Sequence, residues 1–355
     1  MSRLAAQTMD LAIARFPAGL LPEGATAPLR DAAVHLAPDT QLYFECRLVG
    51  EDRAIDVSQH FFAAAGGARA LGDLARRRMA SDGAADIETW RRVADFADAW
   101  PSAPDLAKAI VEIGLEHDQA PGGDWTAPPA VFAAFRGDIL DNRAAGEQFV
   151  TAVAPGSRGA WRALISAIEC ARSHGLVPGR MVGAMLSRDG QLRCMVRGLT
   201  SPATQRFLTA VGWAGDLDAL QALLREPPLA GDATRLVLGF APDLTADCGL
   251  EVIHAQDADG RARLDALLVW LVERGLADAG RVNALAGWPG PVTPLSAEAD
   301  WPDALIARDL ATSRTALDYL NAFISHVKIN ISGGRPLPAK VYLGLAPVSW
   351  CACTT

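Results

Sequence analysis

The chain has 355 residues, half of them hydrophobic, enough to bury a large core within one enzyme-sized unit. A formal net charge of −8 argues against a broad nucleic-acid surface, and no apolar run approaches the length of a membrane span. The stretch from Met1 to Phe16 is mixed and amphipathic, without the apolar centre of a secretion signal, so the expected location is the cytoplasm.

In chain order, residues 1–38 read as helices. Five β-hairpins follow, at Gln41–Phe62, Lys108–Arg136, Met181–Leu199, Arg235–Gln256 and Ile324–Leu345. Between and around them lie Ala/Leu-rich amphipathic stretches that read as helix: Gly72–Trp100, Ala160–His174, Ser201–Arg225, Gly260–Leu285 and Asp303–Phe323. Ser201-Pro202 supplies a cap and a first-turn proline, and Gly212, Gly275 and Gly287 stand where helices stop. Asp189-Gly190 is a strong hairpin dipeptide, and Ser332 to Pro336 reads as a chain-reversing loop.

Strand side chains alternate with period two, so each hairpin divides into faces. In the first, Leu42, Phe44, Cys46 and Leu48 oppose Tyr43, Glu45 and Arg47, and the second strand adds Asp56, Ser58 and His60. In the third, Leu192, Cys194 and Val196 oppose Arg193, Met195 and Arg197. In the last, Val327, Ile329, Ile331, Val341, Leu343 and Leu345 oppose His326, Lys328, Asn330, Lys340 and Tyr342. Helices with one apolar stripe must cover the apolar strand faces, which leaves the polar faces inside or on solvent. Ten strands tend to close, so the expected fold is α+β: a closed antiparallel ten-stranded barrel from five αββα repeats, helices outside and a polar lumen. The whole of 1–355 is expected to form one domain, with 346–355 as a tail.

No Walker loop, dinucleotide fingerprint, zinc-protease helix motif or nucleophile elbow occurs. Cys46 and Cys194 fall on apolar faces and Cys170 and Cys248 are isolated, which points to reduced thiols; Cys351 and Cys353 supply only half of a tetrahedral site, so no metal site is expected. The loop around Pro121 to Asp124 reads as a connection, and Trp288 in the loop from Gly287 to Pro291 is a candidate rim residue.

Of 33 basic residues only three are lysines. Lys108, Lys328 and Lys340 share polar-face parity with Arg47, Arg136, Arg193 and Arg197, a pattern that suits a di- or polyanion such as a diphosphate. The competing reading is a solvated charged sheet face. Tyr43, His60, Met195 and Tyr342 on the same faces favour a ligand with an anionic head and an apolar tail.

Four segments resemble the αββα-barrel prenyltransferases, the ABBA fold, and most of all the cyanobactin-type peptide prenyltransferases. They are Asp39 to Cys46 with Gly50 to Arg53, Gly183 to Arg197, Leu238 to Phe240 with Gly249 to Glu251, and Ser325 to Leu345. The resemblance implies transfer of an isoprenyl group from an allylic diphosphate to a side chain of a ribosomal peptide natural product. It implies that Arg193, Arg197, Lys328, Lys340 and Tyr342, with Lys108, hold the diphosphate, and that Tyr43, His60 and Met195 shield the allylic cation. It further implies a first-strand carboxylate as base. The family's glutamate position is Tyr43 here, so Glu45, of the same parity, either takes that role or pairs with Arg47 or a lumen arginine. Glu112 and Glu251 compete for it. No Asp-rich motif is present, and whether Mg²⁺ is needed stays open. A non-catalytic barrel that binds a peptide or anionic ligand in a biosynthetic complex is the alternative reading.

Overall fold

The computed structural model describes residues 3–37, 40–50, 54–81, 86–119, 125, 127–231, 233–297, 299–311 and 318–349. Ten long strands alternate in pairs: β1 (Gln41–Arg47) with β2 (Ile55–Phe62), β3 (Ile110–His117) with β4 (Ala130–Phe135), β5 (Val177–Met185) with β6 (Gln191–Arg197), and β7 (Thr234–Phe240) with β8 (Leu244–Ile253). After the short β9 (Gly290–Val292), the 15-residue β10 (Asp318–Ser332), two-residue β11 (Arg335–Pro336) and β12 (Lys340–Ser349) complete the set. All pairings are antiparallel. β12 joins β1 at one end of the order, and β10 joins both β12 and β8, so the sheet returns on itself as a barrel of ten strands. The short strands only line the edges of β10.

The outward faces are those the alternation assigned. Leu42, Phe44 and Cys46, then Leu192, Cys194 and Val196, then Val341, Leu343 and Leu345 are all at most 3% exposed. The helices cover them, among them Gly67–Ala80, Ile87–Ala99, Arg143–Val153, Arg158–Ser173 and Ala258–Glu273. Each fully buried aliphatic chain contributes about 1.5–3 kcal/mol relative to exposure, so this outer shell between barrel and helices is the main hydrophobic core.

Turn chemistry sets the hairpin registers. Asp189 and Gly190 both have positive φ (50° and 70°), and Gln191 N–H donates to the Arg188 carbonyl at 3.0 Å, a mirror-image turn that matches strand twist. Gly333 and Gly334 (φ 55° and 73°) do the same between Ser332 and Arg335, so this glycine pair reverses the chain.

Several expectations are corrected. The stretch from Gly72 to Trp100 is two helices, and so is Ser201–Arg225, the latter split after Ala210 where Gly212 takes positive φ. The helix Arg143–Val153 was not anticipated. The helix from Asp303 ends at Ala311, and Asp318–Phe323 belong to β10 because their partners on β12 extend to Ser349. The expected tail is therefore strand through Ser349; residues 350–355, with Cys351 and Cys353, lie outside the described residues, as do 51–53, 121–124 and Asp39. Trp288 is no rim residue. It is fully buried against Phe16 and Phe44 outside the barrel wall, and its indole N–H donates to the carbonyls of Phe323 (3.1 Å) and Gly344 (3.3 Å).

Candidate active site

Inside the barrel is a cavity of about 280 Å³ to which every long strand contributes. Its wall divides chemically: β5 to β7 carry Arg180, Arg193 and Arg235 with Met181 and Met195; β1 to β4 carry Tyr43, His60, Glu112, Glu116 and Phe132; β8 to β12 carry Glu251, Ser325, His326, Lys328 and Tyr342. The polar-face parity of the sequence is thus the lumen.

Glycines make the aromatic part possible. Phe132 is paired with Gly114 on one side and Gly183 on the other, and a Cβ on Gly183 would come within 2.4 Å of the Phe132 ring. Gly344 lies between Tyr43 and Phe323 in register, and a Cβ there would meet the Phe323 ring at 2.3 Å. Without side chains at these points, rings lie across the neighbouring strand. Tyr43 packs on His60 with centroids 4.5 Å apart and edge-on to Phe323 at 5.8 Å, and His326 stacks on Tyr342 at 4.0 Å. Burial depresses the His326 pKa to about 4, with Lys328 and Arg235 adding to the shift against the pull of Glu251, so the ring is neutral at pH 7.

The lumen lysines are not free. Lys340 Nζ and the Tyr342 hydroxyl both donate to Glu45, and Lys328 pairs with Glu251 at 3.1 Å. Burial raises the Glu45 pKa, but the Lys340 charge and hydrogen bond, with help from Tyr342 and Lys328, outweigh it and hold the carboxyl below its ordinary value. Glu251 behaves likewise: burial opposes, and the charge and hydrogen bond of Lys328 prevail. Arg47 pairs with Asp56 at 3.1 Å, and of the two readings of Glu45, base or partner of an arginine, the second is met by a lysine and a tyrosine in place of an arginine.

The arginines differ. Among the described residues Arg180, Arg193, Arg197 and Arg235 form no ion pair, and Arg235 Nη1 lies 3.6 Å from Met195 Sδ. Burial lowers the Arg235 pKa; Glu251 opposes this, while Arg180 and Arg197 push further in the same direction, which marks three like charges near one another. Arg193 and Arg235 are half-buried, Arg180 and Arg197 exposed. Arg197 is the last residue of β6. Lys108 is corrected: it sits exposed in the last turn of the helix Pro104–Ala109, where Pro104 starts a helical turn across residues expected to open the hairpin. Arg136, just past β4, is exposed as well.

Sequence reasoning missed Arg180, Arg235, Glu116, Phe132 and Phe323. Arg235 and Glu116 share parity with recognised lumen positions and were legible; Arg180 sits at a register shift between Pro178 and Val182, which hides its face. Glu116 is the unpaired lumen carboxylate among those described. Burial first, then Glu45, push its pKa to about 7, with Lys328 and Arg193 pulling the other way. Among the described residues no group of three or more His, Cys, Asp or Glu is arranged to hold a metal, and no helix is long and apolar enough to cross a membrane.

No protein-family model and no curated protein matches the chain. Among solved structures it is similar to the crystal structure of PriB in a binary complex with product diphosphate, at 16% identity over 97% of this chain and 95% of that one, with a TM-score of 0.51. The ternary complex of prenyltransferase PriB with L-tryptophan and dimethylallyl thiolodiphosphate gives 16% identity, the same coverages and a TM-score of 0.49. A 6-dimethylallyltryptophan synthase from Micromonospora olivasterospora, in complex with DMASPP and Trp, gives 13% identity, 96% of each chain and a TM-score of 0.48. Over nearly its whole length, then, this chain has the barrel fold of PriB.

Proposed function

We propose that the chain is a prenyltransferase, moving an isoprenyl group from an allylic diphosphate to an electron-rich side chain, and that the acceptor side chain belongs to a ribosomal peptide. The observation that carries the reading is the arginine wall of β5 to β7, without carboxylate partners among the described residues, facing an aromatic patch across one cavity. Arg180, Arg193, Arg197 and Arg235 take the diphosphate; planar guanidinium groups match phosphate oxygens in pairs and need no reorganisation as charge develops on the leaving group. Tyr43, Phe132 and Phe323 present ring faces to the allylic cation and keep water away. Lys328, Lys340 and Tyr342, expected on the diphosphate, also set the charge of Glu251 and Glu45. The PriB structure, solved with product diphosphate, supports a barrel of this kind holding that group. The peptide acceptor is supported by the resemblance of the hairpin segments.

The test is incubation of purified protein with dimethylallyl and geranyl diphosphates, with and without Mg²⁺, beside tryptophan- and tyrosine-containing peptides and free tryptophan. Mass spectrometry showing one added prenyl unit on a peptide supports the full reading. Prenylation of free tryptophan alone overturns the peptide acceptor. A donor that binds but is never consumed leaves a binding barrel, and no binding removes the proposal.

A further inference from the structure

Prenyl transfer to a ring or heteroatom releases a proton, and the lumen must accept it. Glu45 is ill-suited because Lys340 and Tyr342 already occupy its two oxygens and hold it ionised. Glu251 is tied to Lys328, and Asp56 to Arg47 and to the Gln119 N–H. Glu116 and His60 are left, and of the two only His60 has a carboxylate that orients it. Its Nδ1 contacts Glu112 Oε1, across the β2–β3 pairing. Burial pushes the Glu112 pKa up, but the hydrogen bond from His60 and the nearby Arg180 charge bring it below the ordinary value, so Glu112 is a carboxylate. A carboxylate at Nδ1 accepts its N–H and leaves the lone pair on Nε2.

His60 lines the cavity. The ring lies over Gly114, where a Cβ would be 3.6 Å from Cε1 and 3.7 Å from Nε2, and it packs on Tyr43 at 4.5 Å. Both side chains are largely shielded, His60 at 18% and Glu112 at 13% exposure.

We infer that His60, positioned by Glu112, is the proton acceptor of the transfer reaction, an inference that rests on the prenyl-transfer reading above. The allylic C–O bond breaks and diphosphate leaves with the electron pair. A π pair of an aromatic acceptor forms the new C–C bond, giving an arenium cation. Nε2 of His60 then takes the ring proton, the C–H electrons restore the ring, and the imidazolium so formed is paired with the Glu112 carboxylate. Glu112 acts through His60 and is a positioning residue.

Two measurements test this. Nitrogen-15 NMR of histidine-labelled protein, with His60→Gln to assign the signal, is expected to show that the neutral His60 ring carries its proton on Nδ1 and is bare at Nε2, and the opposite tautomer overturns the inference without any turnover. With dimethylallyl diphosphate and ring-deuterated tryptophan in a peptide, wild type shows little isotope effect. His60→Gln is expected to lose about 100-fold in kcat, the usual range for one general base, to keep its KM for donor, and to acquire a primary isotope effect as deprotonation becomes limiting. Glu112→Asp restores part of the rate lost in Glu112→Gln. Wild-type transfer by His60→Gln, or an isotope effect that appears in Glu116→Gln instead, overturns it. A wild-type protein that binds no allylic diphosphate fails the prenyl-transfer reading itself and takes this inference with it.

Discussion

Lys340 on β12 closes on Glu45 of β1, 295 residues earlier in the chain, and the Tyr342 hydroxyl occupies the second carboxylate oxygen. Glu45 is only 5% exposed, so its charge depends on this pair. Replacing Lys340 by Met strands a buried carboxylate and is expected to destabilise the fold by about 3 kcal/mol. Urea denaturation measures it, and the double change Glu45→Gln with Lys340→Met recovers most of the loss. Equal stability of the single and double variants contradicts the pairing.

The arginine wall makes a separate prediction about anions. Arg235→Ala and Arg193→Ala each weaken inorganic pyrophosphate binding by about 10-fold, the scale of one charge-assisted contact. Calorimetry at two salt concentrations reads both affinity and screening. Lys108→Ala, on an exposed helix end, leaves binding unchanged.

A cluster outside the barrel predicts acid sensitivity. His117 is 3% exposed, stacked near Trp90, and His35 lies against the buried Arg78 guanidinium. Burial, then Arg78, lowers His35 to about 4 and His117 to about 3. The unfolded chain gains protons below pH 6.5 while the folded one does not, so stability is full above pH 6.5 and falls as pH drops toward the folded values. For the fully buried His117 the slope is up to about 1.4 kcal/mol per pH unit, and His35, less enclosed, adds a fraction of that. Denaturation curves at pH 7 and pH 5 read the slope, and His117→Gln is expected to flatten it.

Gly183→Val probes the aromatic floor of the lumen. A side chain here drives into the Phe132 ring, so we expect about 1–3 kcal/mol of destabilisation, the usual cost of overpacking. The displaced ring also narrows the cavity, and geranyl diphosphate loses more affinity than dimethylallyl diphosphate. Equal losses for the two donors count against a prenyl tail lying on Phe132.

Period-two alternation by itself determined the five hairpins, which side of each strand is apolar, and hence that Glu45, Arg193, Lys328 and Tyr342 point inward while Phe44, Cys194 and Val341 point to the helices. That is local geometry, because neighbouring side chains on a strand must face opposite ways. Alternation carries no depth and no partner. Whether an inward cation is free or neutralised depends on register between strands far apart in sequence, so only the closed barrel separated the paired Lys328 and Lys340 from Arg193 and Arg235, which have no ion-pair partner among the described residues. Strand ends decided the rest: one helical turn took Lys108 outside, the bulge in β5 brought Arg180 to the cavity wall, and β10 continued backward far enough to turn Phe323 from an expected helix into a lumen ring against Tyr43. The contact of His60 with Glu112 belongs to the same class, since it exists only because β2 and β3 pair across a sequence gap that a helical layer fills.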